Sequence, residues 1–121
     1  MFKIEAIIRE EKFEDVKDAL AKININGITV SQVMGCGTQK GHEVVRGNII
    51  ELFMQPKLKL EIVVSTEDWV ERIAQLIQNT ACTGNKGDGK IFISEIQSAI
   101  RISTGETGQK AIWPTNEKSD F

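Results

Sequence analysis

Thr83-Gly84-Asn85-Lys86-Gly87-Asp88-Gly89-Lys90-Ile91-Phe92-Ile93 decides how this 121-residue chain is read. Its first eight residues hold three glycines, an aspartate and two lysines, and an apolar run with strand character follows at once. Glycine lets backbone N–H groups approach an anion closely, and lysine adds a mobile positive charge. The composition suits a phosphate-bearing ligand. In the Walker and dinucleotide-binding patterns a strand precedes the glycines and a helix follows them. Here a helix precedes and a strand follows, so a nucleotide at this loop is held in neither of those ways.

Before that loop, Val70, Ile73, Ala74, Ile77 and Ala81 recur at helical spacing. Ser65 or Thr66 is placed to cap this helix, and Glu67 and Asp68 in its first turn complement the helix dipole. Residues 57–64 alternate as a strand. Nearer the N-terminus, Phe2, Ile4, Ala6 and Ile8 share one face of a strand over 2–9. Phe13, Val16, Leu20 and Ile23 then mark a helix that Asn24-Ile25-Asn26-Gly27 ends. Residues 28–34 alternate again. The strand after the glycine loop covers 91–96, and Ile100 and Ile102 suggest a short further strand around Arg101.

The predicted order is strand, helix, strand, strand, helix, strand. That is the ferredoxin-like split βαβ plan (βαββαβ), an α+β fold with an antiparallel four-stranded sheet and both helices on one face. The other face carries Ile7, Val33, Val63 and Phe92, and a half-apolar open face predicts an oligomer. The connection between strands 2 and 3 is far longer than an ordinary hairpin loop. Two readings stand: a functional loop whose Ile49, Ile50, Leu52 and Phe53 meet a partner, or a β-ribbon that extends through 48–54. Residues 104–121 are polar and read as a loosely held tail, with no core periodicity after Ile112 and Trp113.

Composition bounds the function. Hydrophobic content of 40% and charged content of 26% fit one soluble globular domain. A net charge of −2 weighs against broad nucleic-acid binding. No apolar run approaches a membrane span, and the N-terminus has no signal-peptide layout, which places the chain in the cytoplasm. Cys36 and Cys82 are too few and too far apart for a zinc pattern and read as free thiols, and His42 reads as an exposed loop residue. An RNA-binding module shares the element order, yet Phe92 is the sole aromatic on the last strand and the chain has no tyrosine. An acyl-phosphate hydrolase on the same plan leaves the glycine loop unexplained.

The split βαβ order, the oversized connection and the glycine loop together resemble the PII family of nitrogen-regulatory signal proteins. Thr83-x-x-x-Gly87-Asp88-Gly89-Lys90-Ile91-Phe92-Ile93 fits the family's C-terminal signature. Gly35-x-Gly37-x-Gln39-Lys40-Gly41-His42 fits the start of its T-loop, Arg46-Gly47 and Pro56-Lys57 its tip and exit, and Arg101-Ile102-x-Thr104-Gly105-Glu106 its C-loop. The resemblance covers a domain over 1–112, with the T-loop at about 37–56, the B-loop at 82–90 and the C-loop at 101–112. A polar tail over 113–121 is left unmatched.

The resemblance implies a homotrimer with ATP or ADP in clefts between subunits. The implied nucleotide-binding residues are Thr29, Gly35, Cys36, Gly37, Thr38, Gln39, Glu61, Val63, Gly87, Asp88, Gly89, Lys90 and Arg101. Thr29, Glu61 and Val63 match positions around the adenine, while the glycine loop, Lys90 and Arg101 match the phosphate end. Gln39 is implied as the ligand of Mg²⁺. The effector 2-oxoglutarate would sit against Gly37, Gln39, Lys40 and Gly41, with Lys57 at its distal carboxylate. Through its T-loop a PII protein regulates nitrogen-metabolism targets such as an ammonium transporter, with Arg46, Ile49, Ile50 and Phe53 as implied partner contacts. It is a signal transducer and not an enzyme, and it is not itself embedded in the membrane.

The chain departs from that pattern in places. Thr38 and Ser103 stand where the family usually has phosphate-binding arginines, so weaker discrimination between ATP and ADP is expected. Ile50 replaces the tyrosine that some relatives uridylylate, and no serine lies between 37 and 56. Control by ligands alone is therefore expected. A PII-like adenylate sensor with little 2-oxoglutarate response, serving a different transporter or enzyme, is the alternative.

Overall fold

The structure, a computed structural model, describes residues 1–44 and 47–112, and over 38–53 the backbone only. The elements run β1 (Phe2–Arg9), a 3₁₀ turn (Glu10–Lys12), α1 (Phe13–Lys22), β2 (Thr29–Val44), β3 (Gly47–Val64), α2 (Glu67–Ala81), β4 (Gly89–Glu95) and a short α3 (Gln109–Ile112). The strands form one sheet in the order β2-β3-β1-β4. Every neighbouring pair is antiparallel. This is the expected split βαβ plan. Among the described residues no helix is long and apolar enough to cross a membrane.

Period two on the strands and period 3.6 on the helices meet in one core. Ile4, Ala6 and Ile8 of β1 and Leu60, Ile62 and Val64 of β3 share the covered sheet face. Val16 and Leu20 of α1 and Val70, Ile73, Ile77 and Ala81 of α2 close over them. Phe2, Phe13 and Ile23 pack at the margin. Burying a residue of this size contributes about 1.5–3 kcal/mol. Asn24 ends α1 as its residue type suggests: it takes a φ of 64°, and the Ile25 N–H returns to the Leu20 carbonyl at 2.9 Å.

The open face carries Ile7, Val33, Val63 and Phe92, as expected from alternation. Val63 is 37% and Phe92 51% exposed. The ion pairs Lys3–Glu5 (3.3 Å) and Lys59–Glu61 (3.6 Å) lie on the same face.

One open alternative is decided and three expectations change. The connection between strands 2 and 3 is a paired ribbon, with Gly35 opposite Gln55, Gly37 opposite Phe53 and Lys40 opposite Ile50, and a register shift between Lys40 and Glu43. Each strand satisfies the other's backbone groups, so the ribbon needs no core beneath it. Thr66 is the N-cap of α2 in extended conformation, but its side chain makes no capping hydrogen bond. β4 begins at Gly89, two residues before the apolar run, because the glycine backbone already pairs with Ile8. The C-terminal loop is not a strand through Ile102, which is 99% exposed. It is a turn closed by an isolated Ile100–Thr107 bridge, by Arg101 N–H to the Glu106 carbonyl (2.8 Å) and by Gly108 N–H to the Ala99 carbonyl (3.0 Å), and it leads into α3. Arg46 and the tail over 113–121 lie outside the described residues.

Candidate nucleotide site

The B-loop leaves α2 at Cys82 and enters β4 at Gly89. Two of its glycines are required by geometry. Gly89 has a φ of 104°, and a Cβ there would stand 1.7 Å from the Ile7 carbonyl oxygen across the β1–β4 pair. Gly87 has a φ of 96°, and a Cβ there would lie 3.2 Å from both Arg9 Nη2 and Gln55 Oε1 and 3.5 Å from Lys57 Nζ. Side chains of L-residues rarely adopt such backbone angles.

Asp88 is the hub of this loop. Its Oδ2 accepts the N–H groups of Thr83 (2.8 Å) and Gly84 (2.9 Å), and its Oδ1 accepts the Thr83 hydroxyl and Arg9 Nε (3.0 Å). These donors hold the Asp88 carboxyl well below the usual carboxylate range, the Thr83 hydroxyl first, then the Thr83 N–H, Arg9 and the Gly84 N–H. Arg9 continues into the loop, where its Nη2 donates to the Lys86 carbonyl at 2.7 Å. Lys57, only 6% exposed, donates from Nζ to the Gly87 carbonyl. Burial pushes the Lys57 ammonium down, and the neighbouring Arg9 adds to that.

Several of the expected site residues therefore converge at one end of the sheet. Gly35, where an added Cβ would stand 3.0 Å from Lys57 Cγ, joins Lys57, Gly87, Asp88 and Gly89 there. Lys90 follows as an exposed residue of β4, opposite Ile7. Cys36 and Gly37 are exposed on β2 just beyond Gly35. Thr38, Gln39, Lys40, Gly41, Ile49, Ile50 and Phe53 lie on the ribbon, where the backbone alone is described.

Other expected residues are not brought to the loop within one chain. Thr29 faces Glu61 across β2 and β3, and Val63 is two residues further on. Glu61 stands four residues from Lys57 along β3, roughly 13 Å at strand spacing. Arg101 is buried, and its Nη2 donates to the Lys110 carbonyl of α3 at 3.4 Å.

Arg9 and Gln55 are residues that sequence reasoning missed. Arg9 is separated from its loop partners by 77 and 79 positions. Its one sequence signal is that alternation puts it on the open face at the last position of β1.

The chemistry this geometry permits is anion binding. A loop of backbone N–H groups is pinned from below by two cations, and Lys90 stands beside it.

Comparison with known proteins bears on this reading. The family profile described as nitrogen regulatory protein P-II matches residues 1–106. A nitrogen regulatory protein P-II from Bradyrhizobium diazoefficiens is 50% identical over 113 residues, spanning 93% of this chain and 100% of the relative. Nitrogen regulatory protein P-II 1 from Methanothermobacter thermautotrophicus is 51% identical over 93% of this chain and 97% of its own length. Among solved structures, the GlnK–ATP complex of B. subtilis superposes with a TM-score of 0.82 at 43% identity. The alignment covers 91% of this chain and 96% of that one.

Proposed function

Because the chain belongs to the nitrogen regulatory protein P-II family, we propose that it is a non-enzymatic homotrimeric sensor of ATP, ADP and 2-oxoglutarate in the cytoplasm. The observation that carries this reading is the B-loop itself: Asp88 gathers the Thr83 and Gly84 N–H groups, while Arg9 and Lys57 hold the Lys86 and Gly87 carbonyls, whose peptides carry the Gly87 and Asp88 N–H groups. Likeness to a GlnK bound to ATP supports adenylate as the occupant. The separation of Arg101, Thr29, Glu61 and Val63 from that cradle supports a site completed by a neighbouring copy. The half-apolar open face gives that copy a surface to meet.

Gln39 suits Mg²⁺ through a neutral amide oxygen. Such an ion keeps phosphate oxygens and waters as its other ligands and needs no acidic cage. Bound Mg²⁺ would neutralise phosphate charge beside the ribbon. 2-Oxoglutarate would rest against Gly37, Gln39, Lys40 and Gly41 with its distal carboxylate on Lys57. Ligand state then selects among ribbon conformations, and the ribbon, through Arg46, Ile49, Ile50 and Phe53, engages an ammonium transporter or another nitrogen-metabolism protein.

The second reading, an adenylate sensor with little 2-oxoglutarate response, is favoured by one observation. The Lys57 ammonium is buried and one of its three N–H donors is already held by the Gly87 carbonyl, so an effector carboxylate must share it with the loop and reach it below the surface. Thr38 and Ser103 in place of arginines point to weak ATP-over-ADP discrimination under either reading. Calorimetric titration with ATP and ADP, each with and without Mg²⁺ and 2-oxoglutarate, tests both. Adenylate binding at a stoichiometry of one per chain, strengthened by 2-oxoglutarate, is expected. Adenylate binding indifferent to 2-oxoglutarate selects the second reading, and a monomer that binds no adenylate overturns both.

A further inference from the structure

We propose that Arg9 is a positioning residue that sets which way the B-loop peptides face, and so governs affinity for the phosphate part of a nucleotide without touching it. The inference rests on adenylate being the ligand of the loop. It follows from peptide geometry. In a trans peptide the carbonyl and the following N–H point in opposite directions, and no peptide bond here is cis among the described residues. Arg9 Nη2 holds the Lys86 carbonyl, whose peptide carries the Gly87 N–H. Lys57 holds the Gly87 carbonyl, whose peptide carries the Asp88 N–H.

Both cations lie on the same side of Gly87, within 3.2 and 3.5 Å of the position its Cβ would take. Both carbonyls are therefore drawn inward, and both N–H groups turn away from the protein, where an anion can meet them. Arg9 does this from a rigid base, since β1 buries Ile4, Ala6 and Ile8 in the core. Its second anchor, Nε on Asp88, fixes the far side of the same turn. The guanidinium serves two acceptors at once in a planar fork, which an ammonium cannot copy. With both ends engaged and its side chain 15% exposed, Arg9 acts through the loop and not as a phosphate ligand.

The test uses the full chain with Arg9→Met and Arg9→Lys, titrated with ADP and with adenosine in the absence of 2-oxoglutarate. Loss of one well-oriented hydrogen bond corresponds to roughly a tenfold change in affinity. Arg9→Met is expected to weaken ADP by about that factor while adenosine, which has no phosphate, stays within about twofold. Arg9→Lys should recover only part of the loss. Equal weakening of ADP and adenosine would mean general damage to the fold and would overturn the proposal. Unchanged ADP affinity in Arg9→Met, or full recovery by Arg9→Lys, would overturn it too. Those results leave adenylate binding itself intact. A wild-type chain that binds no ADP instead removes the functional reading on which the proposal stands.

Discussion

Gly89→Ala should be among the most damaging single-methyl additions this chain can suffer, and Gly84→Ala supplies its control. Both glycines have positive φ, 104° and 84°, so both substitutions impose backbone strain of about 1–2 kcal/mol. They differ in what the new methyl meets. At Gly84 no atom lies within 4 Å, whereas at Gly89 the methyl would stand 1.7 Å from the Ile7 carbonyl oxygen and 2.8 Å from its carbon. A backbone carbonyl cannot rotate aside as a side chain can. The β1–β4 pair must part where Ile8 faces Gly89 and Ile7 faces Lys90, at a cost of about 0.5–1.5 kcal/mol for each ladder hydrogen bond lost. With the two bonds of one ladder pair lost, Gly89→Ala should therefore cost about 2–5 kcal/mol in total, against about 1–2 kcal/mol for Gly84→Ala. With a urea m-value of about 1.5 kcal/mol/M, the midpoint falls by roughly 1.5–3 M in the first and by about 1 M in the second. Urea denaturation followed by circular dichroism at one fixed protein concentration measures both. Equal midpoint shifts for the two variants would show that the close approach of β4 to Ile7 is not as described.

Two further outcomes are expected. The depressed folded-state pKa of Asp88 gives stabilisation that is complete above the unfolded value of 3.8 and lost as pH falls through the lower folded value. The wild type should thus lose stability more steeply than Asp88→Asn between about pH 4 and pH 2; identical slopes in stepped-pH denaturation would remove Asp88 from its role. Phe92→Lys places a charge on the open face, opposite Glu5. If the proposed trimer is built on this face, the substitution should shift sedimentation to smaller species, and an unchanged mass would place the subunit interface elsewhere.

The parts of the fold that could be read in advance are those governed by local period. Val70, Ile73, Ile77 and Ala81 repeat every three to four residues and are the buried stripe of α2. Ile4, Ala6 and Ile8 alternate and are buried. Asn24 supplied a helix stop through its own conformational tolerance. The ribbon was ambiguous because its pairing is set by the partner strand across a long sequence separation, with Gly35 opposite Gln55 and Lys40 opposite Ile50. The roles of Arg9 and Gln55 were hidden for another reason. The contacts of Arg9 join residues 77 and 79 positions apart, and nothing in the local sequence of β1 distinguishes a surface arginine from one folded under a distant loop. Lys57 could be placed at the effector position by resemblance, but its bond to the Gly87 carbonyl is a tertiary fact.

The ribbon formed by β2 and β3 has a mechanical consequence. From Gly35 to Val44 it runs ten residues past the point where Lys57 and Gly87 meet, a length of about 30 Å at strand spacing. An arm of that length turned by about 10° at its root sweeps its far end through roughly 5 Å. A small change of angle where Lys57 and Gly87 meet is thus geometrically enough to displace the far end of the ribbon by more than the spacing between neighbouring strands.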